Sequence, residues 1–433
     1  MNEILIGLID LAVLLLLFLT GIELGFAMAI MGFLGFAYLV SLDAAFNLLA
    51  KDVFNTFTSY GFTVIPLFVF MGQIAFNAGI AKQLFDSAHK FMGHIPGGLA
   101  IATVAGATVF KAIRGSSPAT AATFASVAVP EMDRFGYSRK LSTGIVATVG
   151  TLGVLIPPSV TLIVFGVITE QSIGRLFMAG LIPGLLIALF FVFIIIGWAK
   201  MNPAIAPKSP RFSWGDRMRS VPAVIWPVAI FLVVIGGLLK GFFTPTEAGS
   251  IGTAAVLVVA LVQRVLGWKA FVKAVDESLR TACMVIMLIA GSAILGHFIA
   301  VTNIPSVAAD WIAGLPLHKF VIMLIISVFY LVGGSFIDDL AFMILATPIF
   351  YPAIIKLGFD PMWFGIMIAI TVMVGVVIPP VAINVFVVKN ITKTPFSVIY
   401  GGVYPFLLSL AFCGFLLFIF PSIATWLPNM LYK

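Results

Sequence analysis

The chain has 433 residues, of which 61% are hydrophobic and only 9% charged, and its mean hydropathy is +1.18. That composition excludes an ordinary soluble domain and predicts an all-α polytopic membrane protein set in a lipid bilayer. The formal net charge of +7 does not point to nucleic acid, because the cations gather in loops, as membrane orientation requires.

The opening stretch, MNEILIGLIDLAVLLLLFLTG, has an acid where a secretory leader has a basic segment and lacks a small-residue cleavage site. It therefore reads as a first span. Apolar runs between charged or Pro/Gly-rich breaks predict spans near 3–20, 22–41, 57–78, 140–169, 173–199, 222–241, 247–266, 279–300, 362–388 and 397–427. Two further segments, 96–132 and 320–358, are too long for one crossing and are broken in the middle. Each is expected to be a re-entrant hairpin, a form allowed only where protein or water covers the exposed backbone.

If residues 201–221 are cytoplasmic, Lys82, Lys90, Arg134, Arg139, Lys140, Arg264, Lys269, Lys273, Arg280, Lys389 and Lys393 share that side. The positive-inside bias then places both termini outside, opens the first hairpin to the cytoplasm and opens the second to the exterior.

A duplication accompanies that opposition. GTLGVLIPPSV at 150–160 recurs as VGVVIPPVAIN at 374–384, with Gly153 matching Gly375 and Pro157-Pro158 matching Pro379-Pro380 at an offset of 222 residues. Gly115-Ser116 and Gly334-Ser335 mark corresponding hairpin breaks. The expected organisation is a first repeat over 1–200 with hairpin 96–132, a cytoplasmic linker over 201–221, and a second repeat over 222–433 with hairpin 320–358. Each repeat holds about five spans plus one hairpin, and an odd number of crossings inverts the second copy, an arrangement used for alternating access.

The stretch FKAIRGSSPATAATF at 110–124 shows what a hairpin tip offers. Gly115 suits the end of one half-helix, and Ser116 or Ser117 caps the next, with Pro118 in its first turn. Unpaired carbonyls and hydroxyls suit a hard monovalent cation such as Na⁺, while amides and the positive helix end suit an anion. Consecutive prolines break the facing helices, freeing carbonyls near Gly150, Thr151, Gly153 and Ile156 for the first tip. By the same logic Val376, Ile378 and the Asn384 side chain face the second tip.

Asp338 and Asp339 sit at membrane depth, where a carboxylate is a functional candidate by default. They cap a half-helix, help to hold a cation, or do both. Lys111 and Arg114 share a helix face. They either neutralise the carboxyl end of their half-helix or place Arg114 as the grip on an anionic substrate, with Lys111 in support. Ser116, Ser117, Ser159 and Asn384 join Arg114 as candidate substrate contacts. Cys283 and Cys413 lie far apart in apolar runs and suggest neither a disulfide nor a metal cluster. His297 and Asn303 read as interhelical hydrogen-bonding residues. The chain has no phosphate loop and no HExxH, so neither an ATP motor nor a zinc protease is indicated.

GSSPATAATFASVAVPEM (115–132), GTLGVLIPPSV (150–160), TPTEAGSIG (244–252), GSFIDDLAFMILATPIFYPAIIKLGFDPMWFG (334–365) and IPPVAINVFVV (378–388) resemble the large membrane subunit of the tripartite ATP-independent periplasmic (TRAP) transporters. The resemblance runs through nearly the whole chain. It implies a non-enzymatic, Na⁺-driven importer of organic anions in the bacterial inner membrane, working with a small four-helix membrane subunit and a periplasmic substrate-binding protein. It also implies an elevator, in which a hairpin-bearing transport domain slides against a scaffold.

Carried over by position, Ser116, Ser117, Pro118 and the segment from Gly153 to Pro158 make one Na⁺ site. Gly334, Ser335 and Asp338, with Gly375 to Pro380, make its inverted partner. Two departures stand out: Lys111 and Arg114 replace small or neutral residues before the first tip, and Ala382 replaces a glycine after the second proline pair. Carboxylates, including C4-dicarboxylates and sialic acids, and sulfonates all fit the resemblance. Alternatives left open are a stand-alone Na⁺/dicarboxylate symporter with the same hairpins, the Na⁺-pumping part of a decarboxylase, and a passive scaffold subunit.

Overall fold

Polar punctuation sets where helices begin. Ser41 accepts from the Ala44 amide at 3.2 Å, Asp360 takes the amides of Met362 and Trp363 at 2.8 and 3.0 Å, and Thr244 forms a reciprocal capping box with Glu247. The computed structural model describes residues 3–18, 20–111, 113 and 116–431, and regular structure among them is entirely helical.

The first half contains α1 (Glu3–Phe18), α2 (Leu24–Leu39), α3 (Leu42–Thr58), α4 (Val64–Asn77), α5 (Ile80–Met92), α6 (Gly98–Lys111), α7 (Ser117–Arg134), α8 (Arg139–Val149), α9 (Val160–Ile168) and α10 (Ile173–Met201). After the short α11 (Trp214–Ser220) come α12 (Pro222–Leu239), α13 (Pro245–Val262), α14 (Trp268–Val301) and α15 (Ile304–Ala313). The chain continues through α16 (Lys319–Phe336), α17 (Asp339–Lys356), α18 (Pro361–Gly375), α19 (Ile383–Thr392), α20 (Phe396–Ile419) and α21 (Ser422–Leu431). Eight stretches among the described residues are long and apolar enough to cross a membrane.

Several spans differ from the apolar runs. Residues 42–58 and 80–92, passed over because charges interrupt them, form α3 and α5, helices with one buried and one exposed side. The run 279–300 extends back to Trp268 as a 34-residue helix. At 1.5 Å per residue it is about 51 Å long, well beyond a hydrocarbon core of about 30 Å. Its first turns carry Lys269 and Lys273 beyond the apolar part. The run 397–427 divides at Phe420-Pro421 into α20 and α21, since proline there ends the helical ladder.

The helices gather into two bodies. One holds α1 to α4 with α12 to α14; the other holds α6 to α10 with α16 to α21. Each body therefore takes elements from both halves of the chain. Close backbone approach fixes both. A Cβ on Gly32 of α2 would lie 2.6 Å from Leu295 Cα of α14, and one on Gly144 of α8 would overlap Gly402 of α20. Small residues at such crossings let helices dock without a hydrophobic driving force from lipid. The linker 201–221 is pinned to the first half: Ser209 N donates to Gly93 O at 2.9 Å, Ser87 Oγ to Ser220 O at 2.9 Å, and Ser138 N to Ile205 O at 3.0 Å.

Candidate functional site

Both hairpins are broken. The first breaks between Lys111 and Ser117, although Arg114, the expected anion grip, and Gly115 lie outside the described residues. Ser116 is extended (φ −92°, ψ 127°) and holds the N-cap position of α7 without a side-chain capping bond, with Pro118 in the first turn. Its hydroxyl is thereby left to the cavity described below.

The second hairpin breaks three residues later than Gly334-Ser335 suggests. Both of those residues stay in the last turn of α16, which ends at Phe336, with Ile337 N donating to Gly333 O at 3.0 Å. The physical reason is Asp338, whose carboxylate caps α17 by accepting from Leu340 N at 3.1 Å. Asp339 accepts from the same amide at 2.9 Å.

The expected partner helices are broken too. α8 passes into a short 3₁₀ turn, Gly150–Val154, before the cis Pro157-Pro158 bond; α18 ends at Gly375 before the cis Pro379-Pro380 bond. Thr151 turns its hydroxyl back to Thr148 O at 2.7 Å. Ile156 N donates to Leu152 O at 3.0 Å, and Ile378 N to Val374 O at 3.1 Å. Ser159 is fully buried, caps α9 and donates to Val154 O at 2.7 Å, so its hydroxyl serves the break and does not line the cavity.

Asn384 is a correction of placement. Its side chain faces the first tip, not the second, with Nδ2 donating to Ser117 Oγ at 3.0 Å and to Ala147 O at 3.1 Å. The loop 376–382 carries α19 across to pack on α7 and α8. Gly150 completes this junction, since a Cβ there would lie 3.0 Å from Ser117 O and 3.1 Å from Asn384 Nδ2. Val376 contributes by accepting Asn384 N at 3.2 Å.

The two tips meet across one cavity of ≈ 180 Å³. Ser116 and Ser117 line it from the first hairpin, Asp338 and Asp339 from the second, and Gln73 of α4 and Thr281 of α14 from the opposite body. Sequence patterns missed Gln73 and Thr281. The amide of Gln73 was the available signal, the one polar side chain between Val64 and Phe76; its Oε1 is buried with no hydrogen-bond partner.

The tips differ chemically. The amino end of α7 carries no acid in its first turn, so its free amides suit an anion, whereas α17 begins on two carboxylates. A Na⁺ ion fits the second tip. Gly375 lies against the hairpin, where a Cβ would come within 2.8 Å of the Gly334 carbonyl carbon, Ser335 O accepts Val381 N at 3.2 Å, and the Asp338 carboxylate follows three residues on. Oxygen donors of this kind suit hard cations. The first tip does not fit one. Ser116 O already accepts Lys111 Nζ at 2.7 Å, Thr120 Oγ1 at 3.0 Å and Thr120 N at 3.3 Å.

Residues 11–423 match the family described as "Tripartite ATP-independent periplasmic transporter, DctM component". The chain belongs to the DctM family. It is accordingly a large membrane subunit of a TRAP transporter, a multi-pass membrane protein whose relatives are permeases and not enzymes. One relative, the C4-dicarboxylate TRAP transporter large permease protein DctM of Pseudomonas aeruginosa, is 34% identical over 384 residues, covering 88% of this chain and 90% of its own. The isethionate TRAP transporter permease protein DctMQ of Oleidesulfovibrio alaskensis is 34% identical over 365 residues, covering 83% of this chain and 57% of that longer one. Among solved structures, the Alcanivorax borkumensis YdaH transporter aligns with a TM-score of 0.64 at 12% identity over 89% of each chain, a likeness of fold alone. The cavity between the tips is thus the candidate transport site of a DctM subunit.

Proposed function

We propose that this subunit imports an organic anion, a carboxylate or sulfonate, across a bacterial inner membrane, coupled to Na⁺ and fed by a periplasmic binding protein. The observation that carries the proposal is the meeting of two chemically unlike hairpin tips at one cavity, closed on its far side by α4 and α14 of the other body. The anion takes the amino end of α7 and the Ser116 and Ser117 hydroxyls, with Arg114 of the same tip as its guanidinium partner. Na⁺ takes the oxygens of the second tip around Gly334, Ser335, Asp338, Gly375 and Ile378. Names given to relatives, C4-dicarboxylate and isethionate permeases, support that substrate class.

The paired hairpins and proline breaks are read as two inverted repeats. The body of α6 to α10 and α16 to α21 acts as the moving transport domain, and the body of α1 to α4 and α12 to α14 as a scaffold enlarged by a small four-helix subunit. Reconstitution tests this: proteoliposomes holding both membrane subunits should take up substrate only with an inward Na⁺ gradient and the cognate binding protein. Undiminished uptake without the binding protein would make the chain a stand-alone symporter, and uptake indifferent to Na⁺ would end the coupling.

A further inference from the structure

Lys111 closes α6 at the first tip and is 0% exposed. Its Nζ donates to Ser116 O at 2.7 Å. On the other side of the ammonium stands Gly153 of the 3₁₀ turn, where a Cβ would overlap Nζ. Asp339 of the second tip lies within its electrostatic reach. A charge this deep is tolerated only when dipoles and counter-charges hold it. Here the dipole is the Ser116 carbonyl at the break before α7, a group that a helix break would otherwise turn toward a mobile cation.

The ammonium thus sets a single positive charge on a carbonyl oxygen of the first tip, against the Gly150–Val154 turn. We propose that Lys111 is a tethered cation, fixed where a Na⁺ ion would sit between the first hairpin tip and the Gly150–Val154 turn, so that this chain binds its mobile Na⁺ at the second tip alone. The proposal rests on the Na⁺ reading of the second tip given above. A tethered charge crosses with the protein in both directions of a cycle, so it organises the tip without drawing on the ion gradient.

The test counts bound ions. The full chain, purified in detergent in choline buffer, is titrated with ²²Na⁺, and its saturating stoichiometry is compared with that of Lys111→Ala and Lys111→Arg. The wild type and Lys111→Arg should bind one Na⁺ per chain and Lys111→Ala two. A wild-type count of two overturns the proposal, as does an equal count in wild type and Lys111→Ala. Counts of zero in wild type and one in Lys111→Ala uphold the tethered cation while removing the second-tip site. Zero in both removes the Na⁺ reading itself. Recovery of Lys111→Ala in Na⁺ but not in choline supports the proposal, and loss of that variant in both salts counts against it, because added Na⁺ should replace the missing charge.

Discussion

At the scale of single residues, the first tip is held by what glycine leaves out. Gly153 admits the Lys111 ammonium into space that a methyl group would fill. Gly153→Ala should therefore push the ammonium off the Ser116 carbonyl, at a cost of about 1–3 kcal/mol typical of an overpacked interior. The expected outcome is a melting temperature several degrees lower in detergent, with Gly153→Ala costing much less when added to Lys111→Ala than when added to the wild type. Independent, additive losses in the double variant would show that the two residues do not share that space. The sequence displayed both residues but not their meeting, because they lie on different elements. Asn384 shows the same limit. Its position after the second proline pair suggested the second tip, and only the course of the loop 376–382 brings it to Ser117.

At the scale of elements, the breaks were legible because their chemistry is local. Gly-Ser-Ser-Pro and Pro-Pro interrupt a helix wherever they fall, and the structure interrupts α6/α7, α8/α9 and α18/α19 there. The amphipathic α3 and α5 were not legible as apolar runs, since half of each is polar and their burial depends on neighbours. α5 also anchors the linker. His89 Nε2 is 3.0 Å from Ser209 Oγ, and its ring packs edge-on to Phe135 and Phe212. Burial lowers the His89 pKa from its ordinary 6.5; Glu131 and Asp86 oppose the shift and Lys90 adds to it. The folded state thus prefers neutral imidazole, the unfolded chain binds the extra proton first, and stability falls as pH drops below about 6.5. The melting temperature of the wild type should decline from pH 7.5 to 5.5 more steeply than that of His89→Gln, which keeps a hydrogen-bonding group without titrating. Parallel pH profiles would mean that this imidazole does not titrate against the fold.

At the scale of the molecule, sequence repeats and packing bodies divide the chain differently. The repeated motifs split it near the linker, yet each body combines helices from both halves. Composition and periodicity could not show this, because pairing between distant apolar helices is decided by shape, as where Gly32 of α2 admits Leu295 of α14. The candidate site lies on the seam between the bodies, and the walls of the cavity include Leu340 of the second tip and Met284 of α14. If one body slides against the other, tying these walls together should stop transport and leave ion binding intact. In a Cys283→Ser background, Leu340→Cys with Met284→Cys, bridged by a short bifunctional thiol reagent, should lose at least about tenfold in uptake, since a linked elevator has no second state to reach. The single cysteine variants treated alike control for modification of the cavity wall. Uptake that survives complete bridging would mean the seam does not move during the cycle, whereas loss of Na⁺ binding along with uptake would trace the defect to the second tip.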